Sequence, residues 1–286
     1  MGVSDAMGLL VVAARDNNSI AIVNVAKMKL NTTIGGFSLP QAVVFVRQDN
    51  ALVVSNGGDG TVSIINTKDF RNLAMVKLPS NADNMDFDSS SGLLYVGYGE
   101  GGVGIINTTD WGLLRSIPLP GHPEGVRVDN NGSLVFVNVP EGNYIAVLNK
   151  TNGGILANLP VANASGVFPM ALDSVHHLLF VGLRSPQDVA VINATSGAEV
   201  ARVGMPGDVD DIFYDSGNGC IYVSSGQGFV TVLKENNPNS YQLVQRIATY
   251  PGARTSFLDT NRGVYFVASP QQQGQPARII VYRVGS

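Results

Sequence analysis

The stretch Asp88-Ser89-Ser90-Ser91-Gly92-Leu93-Leu94-Tyr95-Val96 is followed, after six residues, by Val103-Gly104-Ile105-Ile106-Asn107. An aspartate and a short turn lead into one apolar strand, and a glycine-rich turn leads into a second strand that ends on asparagine. The same unit recurs along the chain at a spacing of roughly 42 residues, which indicates a repeat protein built from short strands.

Both apolar strands recur seven times. The copies of the first are Leu9-Leu10-Val11-Val12, Ala51-Leu52-Val53-Val54, Leu93-Leu94-Tyr95-Val96, Leu134-Val135-Phe136-Val137, Leu178-Leu179-Phe180-Val181, Cys220-Ile221-Tyr222-Val223 and Val264-Tyr265-Phe266-Val267. The copies of the second are Ile20–Asn24, Val62–Asn66, Val103–Asn107, Ile145–Asn149, Val189–Asn193, Val230–Leu233 and Ile279–Tyr282. The aspartates that end the preceding strand are Asp88, Asp129, Asp173, Asp215 and Asp259.

A period of this length with four short strands is typical of a β-propeller blade. The sequence therefore predicts an all-β fold, a seven-bladed β-propeller of four-stranded antiparallel blades, with residues 1–286 forming a single domain. The pattern is incomplete at both ends, because residues 1–5 match only the tail of an inner strand and no fourth strand follows Tyr282. We expect ring closure to be incomplete at the termini.

Composition narrows the class of protein. Hydrophobic residues make up 44% of the chain and charged residues 14%, as in a well-ordered globular protein. The net charge of −4 argues against nucleic acid as a partner, and the absence of a long apolar run argues against membrane insertion. A single cysteine excludes an intramolecular disulfide, and we expect a monomer.

The repeat resembles the YVTN-type propeller repeat, in which an aspartate, a short turn, a Leu-Tyr-Val-like strand and a Val-x-Val-Ile-Asp/Asn strand recur. The resemblance to a bacterial YncE-like family rests on an ordered set of motifs: Asn56–Thr61, Ala82–Asn84, Gly121–Glu124, Phe168–Asp173, Gly207–Asp211 and Pro251–Ser256. It implies a propeller fold and a periplasmic or secreted location, and it implies no particular reaction.

The candidate site comes from positions that break the repeat. Five residues before the strand-ending position stand Gln41, Asp83, Glu124, Phe168, Asp210 and Arg254, and the next positions hold Ala42, Asn84, Gly125, Pro169, Asp211 and Thr255. These residues open the innermost strands, which border the central channel of a propeller. We expect their side chains to converge there as a polar ring around a ligand site.

Repulsion among the acids of this ring has to be relieved. A divalent cation, protonation, Arg127 or Arg254 would do so. Asp83, Glu124 and Asp210 are the predicted metal ligands. Oxygen ligands alone suit calcium or magnesium, whereas His122 suits zinc or manganese, and the sequence does not distinguish these ions. The remaining polar residues are predicted ligand contacts: Gln41, Asn84, Asp211 and Thr255.

Three functions fit these residues. The first is a binding module that holds a small polar ligand or divalent cation at the channel mouth and offers its rim loops to a protein partner. The second is a metal-dependent hydrolase or lyase acting on a lactone, ester or phosphoester, with His122, Arg254 and Arg127 as catalytic residues. The third is a purely structural role as a surface or envelope protein. Independently of these functions, acids at the start of strands also cap turns, accept backbone N–H groups and pair with arginine. No Gly-x-Ser-x-Gly motif supports a serine nucleophile.

Overall fold

The strands of this chain fall into seven separate antiparallel sheets. The computed structural model describes residues 1–46, 50–272 and 274–284, which form twenty-seven strands and two short 3₁₀ helices, Arg15–Asn17 and Pro140–Gly142. We number the sheets blades 1 to 7 in chain order. None of the helices in the described ranges is long and apolar enough to cross a lipid bilayer.

The first four blades have four strands each, hydrogen-bonded in chain order. Blade 1 contains β1 (Gly2–Ser4), β2 (Leu9–Ala14), β3 (Ser19–Asn24) and β4 (Lys29–Gly35). Blade 2 contains β5 (Pro40–Val46), β6 (Ala51–Asn56), β7 (Thr61–Asn66) and β8 (Asn72–Lys77). Blade 3 contains β9 (Ala82–Asp88), β10 (Leu93–Tyr98), β11 (Gly102–Asn107) and β12 (Gly112–Pro118). Blade 4 contains β13 (Gly125–Val128), β14 (Leu134–Val139), β15 (Tyr144–Asn149) and β16 (Ile155–Pro160).

The last three blades follow the same order, but the final one has three described strands. Blade 5 contains β17 (Ser165–Asp173), β18 (Leu178–Ser185), β19 (Asp188–Asn193) and β20 (Glu199–Gly204). Blade 6 contains β21 (Val209–Asp215), β22 (Cys220–Ser225), β23 (Phe229–Asn237) and β24 (Ser240–Ala248). Blade 7 contains β25 (Thr255–Asp259), β26 (Val264–Ser269) and β27 (Arg278–Arg283).

These sheets confirm the predicted strand pattern. Every apolar run read from the sequence is a second or third strand of a blade, and the fold class is all-β with seven antiparallel blades. The strand pattern is also irregular at the two ends of the chain, as the sequence predicts. Strand β1 has only three residues, and blade 7 lacks a described fourth strand.

The contacts divide the chain into two compact units. The first comprises Met1–Gly142 and Ala146–Ala157, and the second comprises Asn143–Ile145 and Asn158–Ser286. The organisation as a single domain stays a prediction.

Second and third strands carry the core of each unit. In the first unit, Val53 and Ile64 of blade 2 pack with Leu94 and Val96 of blade 3, and all four are fully buried. In the second unit, Phe180 of blade 5 packs in the same way with blade 6. These strands read as continuous apolar runs because both of their faces are covered.

The aspartates that end the inner strands fix the turns that follow. Each is buried, with at most 6% of its surface exposed, and each accepts a backbone N–H two or three residues further on. The five residues are Asp88, Asp129, Asp173, Asp215 and Asp259. A carboxylate that bonds to the backbone in this way holds a tight turn, which explains why aspartate recurs at these positions.

Candidate functional site

Four of the predicted site residues lie on irregularities in the inner strands: Gln41, Asp83, Asn84 and Asp210. In β9, Met85 pairs with Val96 and Ala82 pairs with Tyr98, so Asp83 and Asn84 together oppose one residue of β10. Such a β-bulge releases side chains from the ladder and turns them in a new direction. The same irregularity occurs at Gln41–Ala42 in β5, at Phe168–Pro169 in β17 and at Asp210 in β21.

The first unit brings three predicted residues together. The Nε2 atom of His122 lies 2.9 Å from Oδ2 of Asp83 and 3.7 Å from Oε1 of Glu124. One donor atom from each residue lies within 4.8 Å of the other two. All three side chains are partly buried, with exposures of 24% for His122, 17% for Asp83 and 30% for Glu124. We call this group the Asp83–His122–Glu124 cluster.

The turn between β10 and β11 holds the imidazole from its other side. The backbone of Gly99 forms a hydrogen bond with the ring. A Cβ atom at Gly99 would lie 3.3 Å from His122 Nδ1, so the small residue permits the close approach. Asn84 donates its side-chain amide to the carbonyl of Glu124, which ties the loop before β13 to the bulge of β9. The Nε2 atom is thereby directed at the two carboxylates.

The carboxylates strongly favour the protonated imidazole. The hydrogen bond to Asp83 is the largest cause, and together with the charges of Asp83 and Glu124 it outweighs burial and raises the pKa of His122 to about 9. The Nε2–H group then donates to Asp83. At neutral pH the cluster therefore holds one imidazolium between two carboxylates.

Titration of the C2 proton of His122 by NMR is expected to give a pKa of about 9 in the folded protein. Asp83→Asn should lower this pKa more than Glu124→Gln, because the direct hydrogen bond is the main cause. Protonated His122 stabilises the fold below its ordinary pKa of 6.5, and this stability is lost as the pH rises through about 9. A His122 pKa near 6.5 in the unsubstituted protein would contradict the hydrogen bond between His122 and Asp83.

Arg127, a predicted catalytic residue, lies outside this cluster. Its Nη1 atom donates to the carbonyl of Val126, 2.8 Å away, and its charge acts on Asp86 of β9. Asp86 accepts the backbone N–H of Val128 at 2.8 Å. Burial raises the pKa of Asp86, although Arg127 and this hydrogen bond oppose the effect. The carboxyl of Asp86 was not identified from the sequence.

The second unit gathers a different set of charges. Arg254 Nη1 lies 2.8 and 2.9 Å from the two carboxylate oxygens of Asp208, and its Nε lies 3.4 Å from Asp210. Arg184 Nη2 lies 3.2 Å from Asp210, and its guanidinium stacks 3.5 Å from the ring centre of Phe168. Two arginines thus balance two aspartates. Here arginine relieves the acid repulsion, as expected for Arg254.

The other residues predicted to contact a ligand lie against parts of the protein itself. Asp211 accepts the backbone N–H of Ser256 at 2.6 Å and so connects β21 to β25. Thr255 opens β25 and pairs with Ala268. The amide of Gln41 lies over Gly57, where a Cβ atom would come within 2.7 Å of Nε2. Their roles as ligand contacts stay predictions.

Sequence reasoning missed Asp208 and Arg184. Asp208 has a φ of 58°, a left-handed conformation that aspartate adopts more readily than most residues. It follows Pro206-Gly207, a turn signal that would have identified it. Arg184 is a charged residue at the end of an otherwise apolar second strand, and this break in the pattern was the available signal.

Comparisons with known proteins bear on the fold. No family model matches the chain, and no curated protein matches it. The chain is similar to hydrazine synthase from Kuenenia stuttgartiensis, with 15% identity and a TM-score of 0.87 over 99% of this chain and 94% of that chain. It is also similar to a functionally unknown protein from Desulfotomaculum acetoxidans, with 12% identity and a TM-score of 0.80 over 97% and 100% of the two chains.

A third similar structure is a chain of a mitotic checkpoint complex, with 13% identity and a TM-score of 0.85 over 100% of this chain and 86% of that chain. Identities this low are informative about fold and not about activity. The fold shared with these structures is the seven-bladed β-propeller.

Proposed function

We propose that this protein is a binding module that holds one divalent metal ion, zinc or manganese, at the Asp83–His122–Glu124 cluster. The observation that carries the proposal is the direction of His122, whose Nε2 lies 2.9 Å from one carboxylate and 3.7 Å from the other. Two donors bound to one tetrahedral zinc ion at about 2.0–2.1 Å are roughly 3.3 Å apart. The two distances bracket that separation.

The contact behind the imidazole supports the same proposal. Histidines that bind metal through one ring nitrogen almost always donate the other N–H to a carbonyl or carboxylate. The hydrogen bond between the His122 ring and the backbone of Gly99 fits this role and leaves Nε2 facing the two carboxylates, where the ion would replace its proton.

Charge balance also favours a dication. An imidazolium between two carboxylates leaves a net charge of −1, whereas neutral His122 with a divalent ion brings the cluster to zero. One nitrogen and two oxygens suit zinc or manganese better than calcium or magnesium, which prefer oxygen alone. The three side chains leave further coordination positions for a small polar ligand.

The proposal predicts that metal binding releases a proton. Calorimetric titration of chelator-treated protein with zinc at pH 7 should show one ion per chain, with an apparent enthalpy that depends on the ionisation enthalpy of the buffer. About one proton should leave, because His122 is protonated at this pH and must be neutral to bind metal.

Variants of the cluster should weaken zinc binding by more than about tenfold. Asp83→Ala and His122→Ala test two ligands, and His177→Ala and Asp110→Asn serve as controls that remove a histidine and an acid elsewhere. Circular dichroism would verify the fold of each variant. Unchanged zinc affinity in both cluster variants, or zinc binding without any proton release, would contradict the proposal.

The remaining expectations accompany this proposal. We propose a relationship to the YncE-like propellers, supported by the repeat motifs, and with it a periplasmic or secreted location. A hydrolase would need a group that stabilises negative charge beside the metal. Arg254 is hydrogen-bonded to Asp208 and Arg127 to a backbone carbonyl, and these contacts give that activity no support.

A further inference from the structure

The three side chains of the Asp83–His122–Glu124 cluster come from two different blades. Asp83 lies in β9 of blade 3, whereas His122 and Glu124 lie in residues 121–124, which precede β13 of blade 4. Within the described ranges, β9 and β13 belong to separate sheets, and no backbone ladder joins them. Whatever fixes the distance between these two strands therefore also fixes the separation of the three side chains.

Residues 121–124 are held closely against blade 4. The backbone N–H of Glu124 donates to the carbonyl of Asn138 at the end of β14, at a distance of 3.2 Å. At the other end of the segment, a Cβ atom at Gly121 would lie only 2.8 Å from Oε2 of Glu141. Contacts this close leave the segment little freedom within its own blade. Its two cluster residues therefore move together with blade 4.

Asn84 draws this segment toward blade 3. Its side-chain amide donates to the carbonyl of Glu124. A carbonyl oxygen can only accept, so the NH2 group of the amide faces the segment. Asn84 is also the neighbour of Asp83 in the bulge of β9. One hydrogen bond thus connects the backbone of one proposed metal ligand with the residue beside another.

Gly97 allows the two blades to approach closely at the same place. It is the residue of β10 that faces the bulge formed by Asp83 and Asn84. A Cβ atom at Gly97 would lie 3.1 Å from Cγ and 3.3 Å from the carbonyl oxygen of Pro123, so an alanine would displace the segment by a few tenths of an ångström. A glycine inside a strand often marks such a close approach.

Asp86 connects the same two strands further along their length. Its carboxylate accepts the backbone N–H of Val128 in β13 at 2.8 Å. Two side chains of β9, those of Asn84 and Asp86, thus hold blade 4 at two points. Because the contact of Asp86 remains when Asn84 is replaced, we expect such a replacement to change the spacing at the cluster without separating the blades.

We propose that Asn84 and Gly97 are positioning residues of the metal site, which determine its affinity without touching the ion. Asn84 pulls residues 121–124 toward β9, and Gly97 leaves room for them. The donor atoms of the cluster are thereby assembled within 4.8 Å of one another before any ion binds. This inference rests on the proposed metal-binding function. Loss of a partner that orients a metal ligand typically lowers metal affinity by roughly 10- to 100-fold.

Titration with cobalt(II) of chelator-treated protein tests the proposal. Cobalt is a useful probe because the visible absorption of the bound ion depends on the arrangement of its ligands. The unsubstituted protein should bind one ion per chain. Asn84→Ala should raise the Kd for cobalt by about tenfold or more and change the visible bands, because the segment relaxes away from β9. Gly97→Ala should act in the same direction, because its methyl group pushes against Pro123.

Ser224→Ala is the matched control. The hydroxyl of Ser224 in β22 donates to the carbonyl of Arg254. Arg254 and Glu124 both stand five residues before the aspartate that ends the inner strand. The substitution therefore removes the same kind of bond between a side chain and the backbone of the following blade, but it does so in the second unit. Cobalt affinity and the visible spectrum should stay unchanged, and circular dichroism would verify the fold of every variant.

A measurement without metal detects the displacement of the segment directly. The Nε2–H proton of His122 donates to Asp83. In NMR spectra of the metal-free protein, this proton should exchange with water faster in Asn84→Ala than in the unsubstituted protein, because the hydrogen bond is weakened. Equal exchange rates in the two proteins would contradict the release of the segment.

The cobalt titration distinguishes failure of this inference from failure of the proposed function. Equal cobalt affinity in the unsubstituted protein, Asn84→Ala and Gly97→Ala would overturn the positioning role and leave the metal site in place. An unsubstituted protein that binds no cobalt would overturn the metal site itself, and the inference with it.

Discussion

Asp88→Ala is expected to lower the free energy of unfolding by about 3 kcal/mol, because it removes the buried partner of a nearly buried lysine. The side chain of Asp88 is fully buried, and Lys150 Nζ lies 3.3 Å from its Oδ2 with 12% of the lysine side chain exposed. The same carboxylate accepts hydrogen bonds from the hydroxyls of Ser90 at 2.7 Å and Ser91 at 2.5 Å. Urea unfolding of the two proteins measures the loss.

The pKa of Asp88 reflects the same contacts. Burial alone would raise it, but the hydroxyls of Ser91 and Ser90, the backbone N–H of Ser90 and the charge of Lys150 outweigh burial and lower it. The stability that Asp88 contributes is therefore present above its ordinary pKa of 3.8 and is lost as the pH falls through the lowered value.

Asp110→Ala is the matched control for this substitution. Asp110 lies in an exposed turn, where its carboxylate accepts the backbone N–H of Gly112 at 2.9 Å. Its loss should cost about 1 kcal/mol or less. Equal losses in Asp88→Ala and Asp110→Ala would show that the buried contacts do not stabilise the fold.

Phe180→Ala should destabilise the second unit by about 3–5 kcal/mol, the usual cost of deleting a buried phenylalanine ring. Phe180 is fully buried in blade 5. Its ring centre lies 4.8 Å from that of Tyr214 and 5.8 Å from that of Tyr241, both in blade 6. The substitution therefore leaves a cavity between two blades, and thermal unfolding followed by circular dichroism should report it.

Phe257→Ala gives the comparison for that prediction. Phe257 is partly exposed on β25, and its ring lies 5.7 Å from that of Phe213. Less surface returns to water and the surroundings can relax, so the loss should be about half that of Phe180→Ala or less. Similar losses of stability in the two variants would mean that burial of Phe180 between blades 5 and 6 does not determine the cost of its removal.

Much of the fold was predictable because one short sequence pattern repeats along the chain. Runs such as Leu93–Val96 are apolar throughout because both faces of a middle strand are buried, and Asp88 recurs because a carboxylate fixes the next turn. Both signals are local in sequence, so each copy reinforces the interpretation of the others.

The residues of the candidate site were predictable from the sequence, but which side chains pair with each other was not. Asp83, His122 and Glu124 break the repeat, and the bulge in β9 explains why Asp83 leaves the ladder. Which charge meets which depends on contacts between blades. Those contacts bring His122 to Asp83 across 39 positions of sequence and Arg254 to Asp208 across 46.

The two charge groups illustrate two solutions to the same electrostatic problem. Arg184 and Arg254 carry permanent charges that neutralise Asp208 and Asp210 without any ligand. His122 is a titratable base, and a metal ion can replace its proton. The Asp83–His122–Glu124 cluster is therefore the better candidate for a site at which a metal ion replaces a proton.

A crystal structure of zinc-soaked protein, with diffraction measured at the zinc absorption edge, tests this account most directly. It should show one strong anomalous peak about 2.0–2.2 Å from His122 Nε2, Asp83 and Glu124, with the other ring nitrogen still bonded to Gly99. Anomalous peaks only at other histidines, or none between these three side chains, would contradict it.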